Sequence, residues 1–123
     1  MIDASKMQQV FLNILLNSLD AMPEGGEIQI KTDTCHEKIM GDIPMDFVQI
    51  TIQDNGIGIK KEYMPHIFDP FYSKSTRRTG LGLSIVSRIV ELHNGLIQIR
   101  SQEGKGTIVR IYLLCASCIP NNP

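Results

Sequence analysis

Apolar residues recur through the first twenty positions at the spacing of one helix face: Met7, Val10, Phe11, Ile14, Leu15 and Leu19. Steps of three and four place them in a single stripe, which predicts an amphipathic helix packed on another layer. Either Asp3 or Ser5 can cap it, and Ser5 with Gln8 makes an S-x-x-Q capping box. Pro23 restricts Met22, and Glu24, Gly25 and Gly26 are turn residues, so the helix is expected to stop at Met22. The period then changes. Ile28, Ile30 and Thr32 alternate with Gln29 and Lys31, and Val48, Ile50 and Ile52 alternate with Gln49, Thr51 and Gln53, giving two strands with one buried face each. Residues 35–46, with Gly41 and Pro44, read as the loop between them, and the two strands are expected to pair. Residues 60–67 suit a short helix interrupted at Pro65. Helical spacing returns at Ile85, Val86, Ile89, Val90 and Leu92, ended by His93, Asn94 and a glycine C-cap at Gly95. Strands at 96–100 and 107–114 flank a glycine-rich turn, with Ile97 and Ile99 facing the core alongside Val109, Ile111 and Leu113. The pattern predicts one α/β layer pair, about four strands with helices on one face.

A chain of 123 residues fits one domain, read as residues 1–114 with a tail at 115–123. Its 12 basic and 13 acidic residues are spread evenly, so there is no footprint for nucleic acid or an anionic membrane. No apolar run reaches the length of a membrane span, and the start lacks signal-peptide order. A membrane link is therefore expected only through other parts of a parent protein. Three cysteines give no disulfide framework, which suits a reducing, cytoplasmic setting. Cys115 and Cys118 form a CxxC without the helix a thioredoxin-like site needs behind it, and a zinc site would need more ligands than Cys35 and three scattered histidines offer. His36 and His66 read as surface residues.

Chemistry concentrates in residues 54–84. Asp54 shares the parity of Val48, Ile50 and Ile52, so its carboxylate points toward the core side, where an ionised group needs donors or water. Gly56 and Gly58 would let a ligand approach the backbone, and an acceptor-only carboxylate suits the amino edge of a purine. Phe68, Pro70 and Phe71 read as an apolar anchor. The polar stretch 72–79 cannot bury enough surface to order itself alone and reads as a mobile cover. Its cations Lys74, Arg77 and Arg78 precede Gly80 and Gly82 at a helix start, whose unpaired N–H groups and dipole favour phosphate. On the first helix, Asn13, Asn17 and Asp20 share a face. Such a face is commonly just solvated, yet asparagine is a poor helix former and two of them one turn apart ask for a reason.

Taken in order, FLNILLNSLDAM, DNGIGI, IFDPF, TGLGLSIV and GKGT closely resemble the asparagine, glycine and phenylalanine boxes of the catalytic, ATP-binding domain of sensor histidine kinases. Their superfamily also holds DNA gyrase, the large heat-shock chaperone and mismatch-repair ATPases. The resemblance covers roughly residues 3 to 114. It implies a Bergerat-type α/β two-layer sandwich, a mixed but mostly antiparallel sheet, with the strand that usually leads into the first helix truncated. ATP and magnesium are the implied cofactors. Asn17 would be the catalytic and magnesium-binding residue, its amide oxygen suiting a cation that shares ligands with phosphate and water. Asp54 would recognise adenine. Asn13, Gly56, Gly58, Ile59, Phe68, Lys74, Arg77, Arg78, Thr79, Gly80, Leu81, Gly82, Leu83 and Thr107 would complete the nucleotide site.

The departures from the family pattern carry information too. Where hydrolytic branches place a water-activating glutamate, this chain has Asn13, which cannot act as a general base. Asp20 stands where many relatives carry a lysine, and Arg78 where glycine is common. The implied partners are a histidine-bearing dimerisation domain of the same kinase and a response regulator receiver domain. A gyrase- or chaperone-type conformational module, a non-catalytic docking domain and an anti-sigma-type serine kinase are the competing readings.

Overall fold

The computed structural model describes residues 3–39, 41–70 and 82–115. Helix α1 is Ala4–Asp20, with Ala21 as its C-cap. Of the two predicted caps, Asp3 serves: its backbone is extended and its side chain accepts from the Lys6 N–H at 3.2 Å. Ser5 therefore falls inside the first turn, and the S-x-x-Q box is not the cap. Met7, Val10 and Ile14 are buried, with Phe11 and Leu15 packed against the same cluster. Leu19, expected in the stripe, is instead 56% exposed, as is Leu12 at 57%.

The first two strands form a hairpin longer than predicted, β1 Ile28–Glu37 and β2 Met45–Asp54. Residues 35–37 and 45–46 are paired strand, leaving only 38–44 as the connection. A 3₁₀ segment, Lys61–His66, runs through Pro65 without being broken by it. Helix α2 is Gly82–Leu92, followed by β3 Gly95–Gln102 and β4 Gly106–Leu114. The turn after α2 is made by Asn94, at φ 57°, and Gly95 already belongs to β3. A side chain at Gly95 would strike the Tyr112 carbonyl oxygen at 2.6 Å, which explains the glycine by packing instead of capping.

The sheet order is β1-β2-β4-β3, with antiparallel pairing throughout. Directly opposed residues share a face, so the helix side of the inner strands is laid out in rows: Ile50, Ile111 and Ile97, then Ile52, Val109 and Ile99, then Asp54, Thr107 and Ser101. The first two rows join α1 and α2 in one core with Val86, Ile89 and Val90. The third ends that core in polar groups. The edge strand β1 is less covered than its alternation implies, since Ile30, opposite Ile52, is 60% exposed. The reverse face carries its own apolar contact, Phe47 against Tyr112, edge to face with centroids 6.4 Å apart.

The two helices run antiparallel. The Asp3 N–H donates to His93 Nε2 at 3.0 Å, while His93 Nδ1 lies 2.8 Å from the Ile89 carbonyl. Together these contacts require the neutral ring with its proton on Nδ1, and they tie the start of α1 to the end of α2. The start of α2 consequently lies near the end of α1. Among the described residues no helix is long and apolar enough to cross a membrane.

Candidate nucleotide site

Asp54 ends β2 in the polar row and is only 5% exposed. One carboxylate oxygen accepts from the Gly56 N–H at 2.9 Å. Among the described residues no donor reaches the other. A buried carboxylate with one oxygen held by the protein keeps acceptor capacity on the other that a further donor would match.

The loop after Asp54 is clamped on three sides. Its Ile57 N–H donates to the Ala21 carbonyl at the end of α1 at 2.9 Å, and the Ile57 carbonyl accepts from the Gly104 N–H at 2.7 Å. The Ile59 N–H donates to Ser101 Oγ at 2.8 Å, and the Asn55 side chain accepts from the Glu27 N–H at 2.9 Å. The glycines serve this clamping. A Cβ at Gly56 would stand 2.5 Å from the Ala21 carbonyl oxygen, and one at Gly58, where φ is +72°, would overlap the Gln102 carbonyl. Gly106, at φ +123°, is similarly pressed against the Asp54 carbonyl. Each close approach is to the protein's own main chain, a reason for glycine that is independent of any ligand.

Asn17, partly buried, lies one turn before Ala21, and its amide nitrogen would be 4.0 Å from a Cβ placed on Gly82, where the described part of α2 begins. Asn13 is partly buried one turn earlier. Ile59, Phe68, Leu83 and Thr107 are partly buried, and Thr107 stands directly across from Asp54. The end of α1, the 54–59 loop, the polar row and the start of α2 thus meet at one end of the molecule. Phe71, Lys74, Arg77, Arg78, Thr79, Gly80, Leu81 and Cys118 lie outside the described residues. Ser101 was not among the residues singled out from the sequence. It accepts from Ile59 N–H, donates to the Gly106 carbonyl at 2.9 Å, and lies 2.8 Å from Thr107 Oγ1.

His36 pairs with Asp46 at 2.6 Å and His66 with Asp69 at 3.0 Å, both exposed. A cavity of about 460 Å³ lined by Thr34, Cys35, His36, Asp46 and Cys115 sits at the opposite end of the β1/β2 hairpin from Asp54. Burial pushes the Cys35 thiol up, and the Glu37 carboxylate, Cys115 and Asp46 add in the same direction. Among the described residues no group of three or more His, Cys, Asp and Glu side chains could hold a metal. Any cation at Asn17 would therefore need other ligands, as magnesium shared with phosphates and water has.

Comparison with known proteins agrees with this fold. Residues 2–117 match the family model of the histidine kinase-, DNA gyrase B-, and HSP90-like ATPases. Sporulation kinase E of Bacillus subtilis is 37% identical over 111 residues, covering 90% of this chain and 14% of that protein. Sensor histidine kinase ZraS of Escherichia coli is 38% identical over 111 residues, covering 90% of this chain and 22% of that one. The chain thus spans under a quarter of either relative's length. Among solved structures, a mycobacterial sensor histidine kinase, MprB, superposes with a TM-score of 0.73 at 26% identity, over 91% of this chain and 72% of that one. The nucleotide-free catalytic domain of histidine kinase ThkA gives 0.72 at 30% identity, over 92% and 68%. With the family model matching nearly its whole length, the chain belongs to the histidine kinase-, DNA gyrase B-, and HSP90-like ATPase family.

Proposed function

We propose that the chain is the ATP-binding catalytic domain of a sensor histidine kinase, donating the γ-phosphoryl of ATP to a histidine on a separate dimerisation domain. The observation that carries this reading is the buried Asp54, with one oxygen held by Gly56 and the other unanswered. An acceptor so placed takes the 6-amino group of adenine and repels the 6-oxo group of guanine. Asn17, beside the first described residue of α2, holds the triphosphate end, with Lys74, Arg77 and Arg78 as further phosphate contacts. Magnesium, when bound, supplies neutralisation of the phosphate charges, and Asn17 is the residue that would ligate it. Transfer then relies on positioning and charge stabilisation more than on covalent chemistry. Asn13 cannot activate water, which favours transfer to a side chain over hydrolysis. A response regulator would receive the phosphoryl group next, in the cytoplasm.

The base reading is tested by titrating an ATP analogue against the wild type and Asp54→Asn. The amide has a single acceptor oxygen to divide between the Gly56 N–H and the adenine amino group, so affinity should fall about tenfold or more. Equal affinities would reject it. For the reaction, the chain is joined to a histidine-bearing dimerisation domain and given radiolabelled ATP. Acid-labile label is expected; acid-stable label would indicate serine as the acceptor.

A further inference from the structure

The polar row Asp54, Thr107, Ser101 crosses three strands, with Thr107 on the central one. A hydroxyl has one proton, and only one distribution of protons makes all three contacts around Ser101 Oγ hydrogen bonds at once. The Ile59 N–H can only donate to it, at 2.8 Å, and the Gly106 carbonyl, at 2.9 Å, can only accept from it. In that distribution the single Ser101 proton goes to Gly106. The remaining contact, 2.8 Å to Thr107 Oγ1, is a hydrogen bond only if Thr107 donates. Spending the Thr107 proton on Ser101 leaves Thr107 Oγ1 with lone pairs alone, on the residue that pairs across from Asp54, whose carboxylate is likewise acceptor-only.

We infer that Ser101 is a specificity-determining positioning residue: by fixing the Thr107 proton inward, it makes the end of the sheet a double acceptor that selects a ligand edge bearing a primary amine. This rests on the adenine reading of Asp54 and extends it. Adenine offers two N–H donors at its 6-amino group, directly or through a bridging water. A 6-oxo purine presents a third acceptor to the two already there. Without Ser101, the Thr107 hydroxyl can rotate and donate outward, relieving that conflict.

The test compares binding of ATP and inosine triphosphate, which carries oxygen in place of the 6-amino group, to four chains: wild type, Ser101→Ala, Thr107→Val and the double variant. Wild type should prefer ATP. Ser101→Ala should reduce the ATP-to-inosine-triphosphate preference about tenfold, the worth of one neutral hydrogen bond. In the Thr107→Val background, Ser101→Ala should leave the ratio unchanged, because the hydroxyl it controls is gone. A purely structural role for Ser101 would weaken both nucleotides alike and leave the ratio at its wild-type value, which overturns the inference. Equal binding of the two nucleotides by the wild type overturns the adenine reading itself, a different failure. Should Ser101→Ala lose its cooperative melting transition, Thr107→Val carries the test alone, and an unaltered ratio in that variant overturns the inference.

Discussion

Gly58→Ala separates two reasons for a glycine in the 54–59 loop. If the glycine only admits a ligand, alanine should weaken nucleotide binding and leave the empty fold intact. The structure argues for a cost in the fold itself. Gly58 has φ +72°, and an added Cβ would overlap the Gln102 carbonyl oxygen while lying 2.7 Å from its carbon and 3.0 Å from Glu103 Cα. The left-handed conformation costs a non-glycine residue about 1–2 kcal/mol. Relieving the overlap means moving the loop off the β3–β4 turn, which breaks the Gly104 to Ile57 hydrogen bond of 2.7 Å and removes about 1 kcal/mol more. A loss of about 3 kcal/mol is expected in urea denaturation without nucleotide, or about 10 °C in melting temperature for a chain this size. Gly25→Ala is the control: Gly25 has φ +90° but nothing within 4 Å of the added Cβ. It should show the conformational part alone, about 1 kcal/mol. Equal losses at the two positions, or a Gly58→Ala loss below about 1 kcal/mol, would refute the packing argument.

Asp3→Ala should cost about 1 kcal/mol by the same measurement, and Ser5→Ala less than about half of that, since among the described residues it is the Asp3 side chain that accepts from a free N–H of α1. A larger effect at Ser5 would return the cap to the S-x-x-Q box. With its pKa raised, Cys35 holds less thiolate than an ordinary cysteine at any pH below its own titration, so iodoacetamide should modify it more slowly at pH 8 than it modifies an unstructured cysteine peptide. Peptide mapping by mass spectrometry gives the rate, and equal rates would contradict the raised value.

Period-two alternation was enough to place Asp54 among buried neighbours, because parity along a strand determines its face. It could not say whether anything covers that face. Two helices cover the inner strands, so Ile52 is buried and Ile30, its partner on β1, is not. The same limit applies to Leu19, which continues the stripe of α1 yet is exposed. Residues 35–37 and 45–46 read as loop because Gly41 and Pro44 lie between them, but a hairpin extends by main-chain hydrogen bonds that take little account of side-chain type. The glycines of the 54–59 loop were legible as places of close approach, though not as approaches to the Ala21 and Gln102 main chain. Ser101 was not legible at all, since the donor it accepts from, Ile59 N–H, lies 42 residues away in the sequence. Tyr112 and Phe47 interrupt the polar reverse face and meet only after β2 and β4 pair.

That ring contact has a bearing on how faithfully the chain threads itself. Sliding β2 by a single residue would turn Phe47 toward the helices, push Ile52 to the other side, and put Gln53 where Asp54 now meets Thr107. Such a misthreaded chain would take two of its best-buried side chains out of their packing at once, from opposite faces. The aim of the carboxylate is thus guarded by apolar groups that never touch it, and mutations at Phe47 or Tyr112 can be expected to register first as lost selectivity for the right alignment.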